Sequence, residues 1–340
     1  VDLVTLDGDI MHPQSFLRAV AIAASLQKTD PRNPATLALR ARIAIHHAAI
    51  AMNSRQELDK ATDLLAQAGT YIAAIPPDAR ASKLLAVQHE LESAILGNWK
   101  GTYKESEAHA RNGISLAESL SPDPADAREA QYLLARMYDA LAEAVYYGTG
   151  IPESEPIYSR LVDITSTYLA AHPDDMLGQR LAIEAHWALG ATLLGIERPG
   201  DGLREMQAAA ALVPTLLQYQ PDDAGAQRTQ RVVYSALAQA LAMSGRFNEG
   251  VALLREEVAK SEEQVQKSSS RSDLLRSYGV TLAMLADLYA DNNAAKEACP
   301  IYEKAEQVWV DLDKRGVLTQ LDRDNAQQMV SERQKQLNCP

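Results

Sequence analysis

The sequence predicts an all-α fold of antiparallel helical hairpins stacked as a solenoid, about 13–14 helices in all. Three observations predict it. Proline and aspartate punctuation returns about every 48 residues: Asp30-Pro31, Pro76-Pro77, Pro122-Asp123-Pro124, Pro173-Asp174-Asp175, Pro221-Asp222-Asp223, then the polar run Ser268 to Asp273. Gly97, Gly148, Gly195 and Gly245 repeat at a similar spacing near the ends of helical runs, where a left-handed residue terminates a helix. Alanine and leucine, both strong helix formers, dominate the apolar residues, and long alternating β-branched runs are missing.

Each element follows from these marks. Residues 14–28 read as one helix, the second half of an incomplete first repeat. Six hairpins then pair 34–51 with 55–74, 78–98 with 102–119, 125–147 with 153–171, 174–194 with 200–219, 223–243 with 247–265, and 271–289 with 294–313. A helix over 319–338, rich in Asp, Asn, Gln, Glu, Arg and Lys, caps the end of the stack. Proline suits a helix start because the first amides lack partners anyway, and a nearby aspartate caps them. No linker rich in Gly, Ser or Pro divides the chain, so residues 1–340 read as a single stack with about six hairpins over 30–314.

Composition excludes several functions. The net charge of −12 and the lack of a basic patch argue against nucleic acid. No apolar run is long enough to span a membrane. The opening residues are not a basic-plus-apolar leader, and a start at Val1 points to a processed or truncated chain.

The residues also resemble tetratricopeptide repeats. Leu285-Ala286, Tyr289, Ala298, Tyr302 and Ala305 follow that family's alternation of small and large positions. Tyr234, Leu237-Ala238, Leu241, Gly245, Gly250 and Leu254 follow it as well. His186, Leu189-Gly190 and Leu193 match the first helix, as do Tyr138, Leu141-Ala142 and Val145. Members usually repeat about every 34 residues, so these units are long. The resemblance implies a right-handed superhelix whose first helices line a concave groove. The long units are similar to the carboxy-terminal repeat regions of bacterial serine/threonine kinases or winged-helix regulators. The segments Glu297–Trp309 and Gln336–Pro340 are similar to the last repeat of such kinases. No kinase motif is present in this chain.

Chemistry-bearing residues give no catalytic, cofactor or metal set. No nucleophile elbow, zinc-helix, phosphate-loop or calcium-loop motif occurs. His46 and His47 are adjacent and point to different sides of a helix. His89, His109, His172 and His186 are isolated, and His12 carries no reading. Carboxylate pairs after proline read as helix caps, and Glu256-Glu257 and Glu262-Glu263 as solvated faces.

Cys299 and Cys339 flank Gly316. If Gly316 turns an antiparallel pair, both reach the same far end, about 25–35 Å away at 1.5 Å per residue. A disulfide and separate thiols both remain open. Pairing would favour a periplasmic or other extracytoplasmic location, and free thiols a cytoplasmic one.

The groove candidates in the family register are Arg136, Asp139, Glu143, Tyr146 and Tyr147, then Glu184 and Trp187, then Ser235, Gln239 and Met243. Tyr and Trp offer rigid contact area and Arg directional donors. Packing inside the stack is the competing role for Tyr146, Tyr147 and Trp187. The expectation is a non-catalytic scaffold that binds a protein or peptide in this groove, with no cofactor. It would be the docking or sensory part of a larger bacterial regulatory protein. An extracytoplasmic module for a small molecule or glycan is the alternative, and an unrecognised enzyme is third. No feature of the sequence sets an oligomeric state.

Overall fold

The computed structural model describes residues 13–55, 57–76, 80–120, 124–219, 223–318 and 322–339. His12 and the punctuation at Pro77, Pro122-Asp123 and Pro221-Asp222 lie outside the described residues. So does the predicted start of the last helix at Thr319.

Among the described residues every regular element is helical. The elements are α1 (Pro13–Thr29), α2 (Pro34–Arg55), α3 (Leu58–Ala73), α4 (Arg80–Lys100), α5 (Tyr103–Ser119), α6 (Pro124–Gly148) and α7 (Ile151–Ala171). Then follow α8 (Met176–Gly195), α9 (Pro199–Tyr219), α10 (Ala224–Met243), α11 (Phe247–Lys267), α12 (Ser272–Asp291) and α13 (Ala295–Lys314). A π-helical turn, Arg323–Gln327, runs into α14 (Gln328–Gln336). The fold is all-α, built of hairpins of consecutive antiparallel helices. The chain divides within α8 into two compact units, Val1–Ala185 and His186–Pro340.

Helix starts use the punctuation chemically. Asn33 accepts a bond from the Ala35 amide at 2.9 Å, ahead of Pro34 at the first position of α2. Asp175 Oδ1 accepts from Leu177 and Gly178 at the start of α8. Asp223 Oδ1 accepts from Ala226 at 2.6 Å at the start of α10.

Helix ends share one turn. The amides of Thr102, Gly150, Arg198, Arg246 and Ala294 donate to the carbonyls of Gly97, Val145, Leu193, Leu241 and Tyr289, each five residues back. These donors are spaced 48 residues apart along the chain. Such a bond closes a helix through a left-handed residue. That residue is Gly101 (φ 73°), Glu197 (φ 60°), Gly245 (φ 79°) and Asn293 (φ 59°) in four of the turns.

Of the four glycines expected to be left-handed, only Gly245 is. Gly97 and Gly148 serve close approach instead. A Cβ on Gly97 would lie 2.8 Å from Ser106 Cβ, and one on Gly148 2.7 Å from Tyr103 Cβ. Gly97 sits where the returning helix α5 crosses the end of α4, and Gly148, at the end of α6, meets the start of the preceding helix α5.

Within the second unit, Leu282, Leu285, Ala286 and Tyr289 of α12 pack with Ala298, Tyr302, Ala305 and Trp309 of α13. Ala286, Ala298, Tyr302 and Ala305 are fully buried. At α10–α11 a Cβ on Gly250 would lie 2.5 Å from the Ala238 carbonyl oxygen, so only glycine lets these backbones meet.

The end of the chain is tied down. Cys299 on α13 is bonded to Cys339 beyond α14, with their Cα atoms 5.4 Å apart. Arg276 pairs with Asp322 at 2.8 Å, and Arg333 with Asp291 at 3.1 Å. Val330 is buried in the α12–α13 core. No helix of the described residues is long and apolar enough to cross a membrane. The disulfide fits an oxidising, extracytoplasmic compartment.

Candidate functional site

In the first unit, side-chain bonds set the register between successive first helices. Gln88 on α4 donates to Glu129 on α6 at 3.0 Å, and Asn98 donates to the Ala140 carbonyl at 3.0 Å. Arg128 on α6 pairs with Asp175, the cap of α8, at 2.7 Å. This register sets Glu92 of α4 against the middle of α6. There Arg136 lies within electrostatic reach of Glu92, Asp139 and Glu184.

Arg136 and Asp139 are half-buried, Glu143 and Glu184 are exposed, and Glu92 is 6% exposed. One Glu92 carboxylate oxygen, Oε2, is buried without a hydrogen-bond partner. Burial pushes the Glu92 pKa up to about 7 despite the pull of Arg136. Loss of solvent also raises Asp139, which Arg136 opposes, and raises Glu143, which Asp139 pushes further. Desolvation works against the Arg136 charge, but Tyr132, Asp139 and Glu184 outweigh it and hold its pKa above the ordinary value.

Glu143 is positioned from behind. Asn98 Nδ2 donates to Glu143 Oε2 at 3.1 Å, and Ser106 Oγ donates to Asn98 Oδ1 at 2.6 Å. Asn98 and Ser106 are themselves buried. Beside this carboxylate stands a tyrosine group. The Tyr103 and Tyr147 rings stack at 5.8 Å, and Tyr146 meets Tyr147 edge-on at 4.9 Å. Tyr147 is 61% exposed, whereas Tyr158 is buried and feels Asp139 and Glu143.

The other candidates lie in the second unit. Trp187 is half-buried and packs with Ala191 and Leu194 on the cluster of Leu203, Met206, Ala240 and Leu241. Ser235 is half-buried, and Gln239 and Met243 are exposed along α10. The structure therefore brings Arg136, Asp139, Glu143, Tyr146, Tyr147 and Glu184 into one neighbourhood and gives Trp187 packing contacts.

Sequence reasoning missed Glu92, Asn98, Tyr103 and Tyr158. The histidines take local partners: His109 pairs with Glu90 at 2.6 Å, His186 with Glu205 at 2.8 Å, and His89 meets the Leu65 carbonyl at 3.0 Å. Among the described residues no group of three or more His, Cys, Asp or Glu could hold a metal ion.

No family model matches this sequence, and no curated protein matches it. Solved structures do. Aspartyl phosphate phosphatase F from Bacillus subtilis aligns at 11% identity with a TM-score of 0.54, over 93% of this chain and 73% of that one. The apo form of RapI aligns at 8% identity with a TM-score of 0.50, over 87% of this chain and 99% of that one. Nearly identical TPR-like repeats from Podosopora anserina align at 16% identity with a TM-score of 0.48, over 67% and 96%. At such identities, the likeness to the first two is one of fold: helices returning on one another in an all-α array.

Proposed function

We propose that this chain is a non-catalytic scaffold that binds a protein or peptide across the first-helix face of α4, α6 and α8. It would act as the docking or sensory part of a larger bacterial regulatory protein. The resemblance of its long units to the repeat regions of bacterial kinases and winged-helix regulators motivates that wider role. The observation that carries the reading is the neighbourhood of Arg136, Asp139, Glu143, Tyr146 and Tyr147, which pairs accessible aromatic area with charged groups set by the α4–α6 register. Tyrosine supplies contact area at small cost in conformational entropy, and charges on the same face supply orientation.

Partner capture from envelope and lysate fractions of the source cells tests this. A stoichiometric partner held by the wild type and by Tyr219→Ala, but lost by Tyr147→Ala, supports the surface; Tyr219 is similarly exposed on α9. Equal capture by both variants removes Tyr147 and its neighbours from the binding face.

A further inference from the structure

Trp99 is the last residue but one of α4, and 48 residues later Tyr147 is the last but one of α6. The same interval separates the turn bonds donated by Thr102 and Gly150. Both rings face solvent: Trp99 is 46% exposed and Tyr147 61%. Ala51 and Gly195 hold the matching positions on either side, so the aromatic row spans two hairpins. Tyr103, at the start of α5, stacks on Tyr147 at 5.8 Å, and Tyr146 braces Tyr147 edge-on at 4.9 Å. The row is therefore rigid as well as exposed.

The step of the row selects its occupant. Asn98, beside Trp99, donates to the Ala140 carbonyl at 3.0 Å, so α4 packs directly on α6 near this end. Packed helices lie about 8–10 Å apart, and equivalent residues on them repeat at that step. A polyproline II chain advances about 3.1 Å per residue with three residues per turn, or about 9 Å per turn. It therefore presents one edge at the step of the row. Proline lacks an N–H, so such a chain leaves carbonyls to be satisfied, and the Trp99 indole N–H and the tyrosine hydroxyls are donors set among flat faces. Two other peptide modes fit less well. Strand addition needs a sheet edge, and every regular element among the described residues is helical. A helix needs a broad apolar groove, whereas the neighbours of this row along the chain include Lys100, Lys104 and Glu143, all exposed.

We propose that the ends of α4 and α6 bind a proline-rich segment of a protein partner in the polyproline II conformation. Successive turns of that segment seat on Trp99 and Tyr147. This rests on the peptide-binding reading above and adds the chemistry of the partner. Such a segment is extended before it binds, so it loses little conformational entropy on a surface of rigid rings.

The test is fluorescence anisotropy with fluorescein-labelled decaproline, and with a labelled Gly-Ser decamer as the control. Decaproline should bind, and the Gly-Ser decamer should bind about tenfold more weakly or worse. Trp99→Ala and Tyr147→Ala should each lose about tenfold in affinity for decaproline. Trp99→Phe should keep most of it, and Tyr219→Ala should match the wild type. Trp99 also reports directly. Of the three tryptophans, Trp309 is fully buried and Trp187 half-buried. Unlabelled decaproline should therefore shift the tryptophan emission of the wild type to the blue and leave that of Trp99→Phe unchanged. Thermal unfolding of each variant separates loss of the row from loss of the fold. Equal binding of the two peptides overturns the inference, as does undiminished decaproline binding by both alanine variants. Absence of decaproline binding overturns it too, and a partner captured through Tyr147 would then leave the peptide groove standing without this chemistry.

Discussion

The α12–α13 hairpin and the α4–α6 pair build on the same helical frame and fill it differently. At α12–α13 the contact is apolar and close: Ala286, Ala298, Tyr302, Ala305 and Trp309 are fully buried, and a disulfide fastens the following segment. At α4–α6 the apolar seam of Leu91, Ala94, Met137 and Ala140 has a polar margin holding Glu92, Arg136 and Asp139. Small and large residues alternating along a helix are enough to make the first kind of contact. The second also carries ionisable groups whose burial opposes folding.

The largest expected effect lies at the fastened end. Replacing Cys299 and Cys339 by serine frees a loop of 40 residues and should cost about 4 kcal/mol in the chain-entropy account. Denaturant unfolding measures the total, and hydrogen exchange should show α14 losing protection first. A variant with unchanged α14 protection would assign the docking of this end to Val330, Arg276 and Arg333 instead.

The next effect has the opposite sign. Folded Glu92 keeps its proton up to about pH 7, whereas in the unfolded chain it loses it near 4.5. The folded state therefore holds more protons between these values, and stability falls as pH rises through that window, by about 3 kcal/mol. Glu92→Gln should remove this slope and make the protein more stable at pH 8, on the order of 2–3 kcal/mol. Unfolding midpoints across pH 4–8 check it; an unchanged slope would mean that Arg136 already neutralises Glu92 in full.

Overpacking comes third. A Cβ on Gly190 would lie 3.0 Å from Met206 Cε and 3.2 Å from the Gly202 carbonyl oxygen, and Ala286 is fully buried in the α12–α13 core. Gly190→Leu and Ala286→Leu should each cost about 1–3 kcal/mol in thermal unfolding. Wild-type stability would place these residues outside the tight seams. Smallest is the cap: Asp223→Ala removes the bond to the Ala226 amide and should cost about 1 kcal/mol, read as a small drop in midpoint.

The helix pattern was legible because its marks are local. Asp175 and Asp223 cap the helices that follow them, and most helix bounds fall within a few residues of those expected. The role of Gly97 was not legible, because it depends on Ser106 arriving from the next helix. The cysteines stayed open for the same reason: spacing along two helices gives height on the stack but not which way a side chain faces. Glu92 was missed because α4 carries none of the matched family positions, and the Arg136 that acts on it lies on α6, more than forty residues downstream. Tyr147 was named, but only the structure supplies the stack on Tyr103 and the edge contact with Tyr146 that orient it.

The turn bonds donated from residues 102, 150, 198, 246 and 294 have a kinetic consequence. Each closes within six residues, and the first-helix pairs Gln88–Glu129 and Asn98–Ala140 reach only to the adjoining hairpin. A nucleus therefore needs to close one or two short loops, whatever the length of the whole chain. Adding another hairpin would lengthen the protein without lengthening its slowest search. That is a permissive setting for growth by duplication, with each new copy free to trade a packing residue for a recognising one.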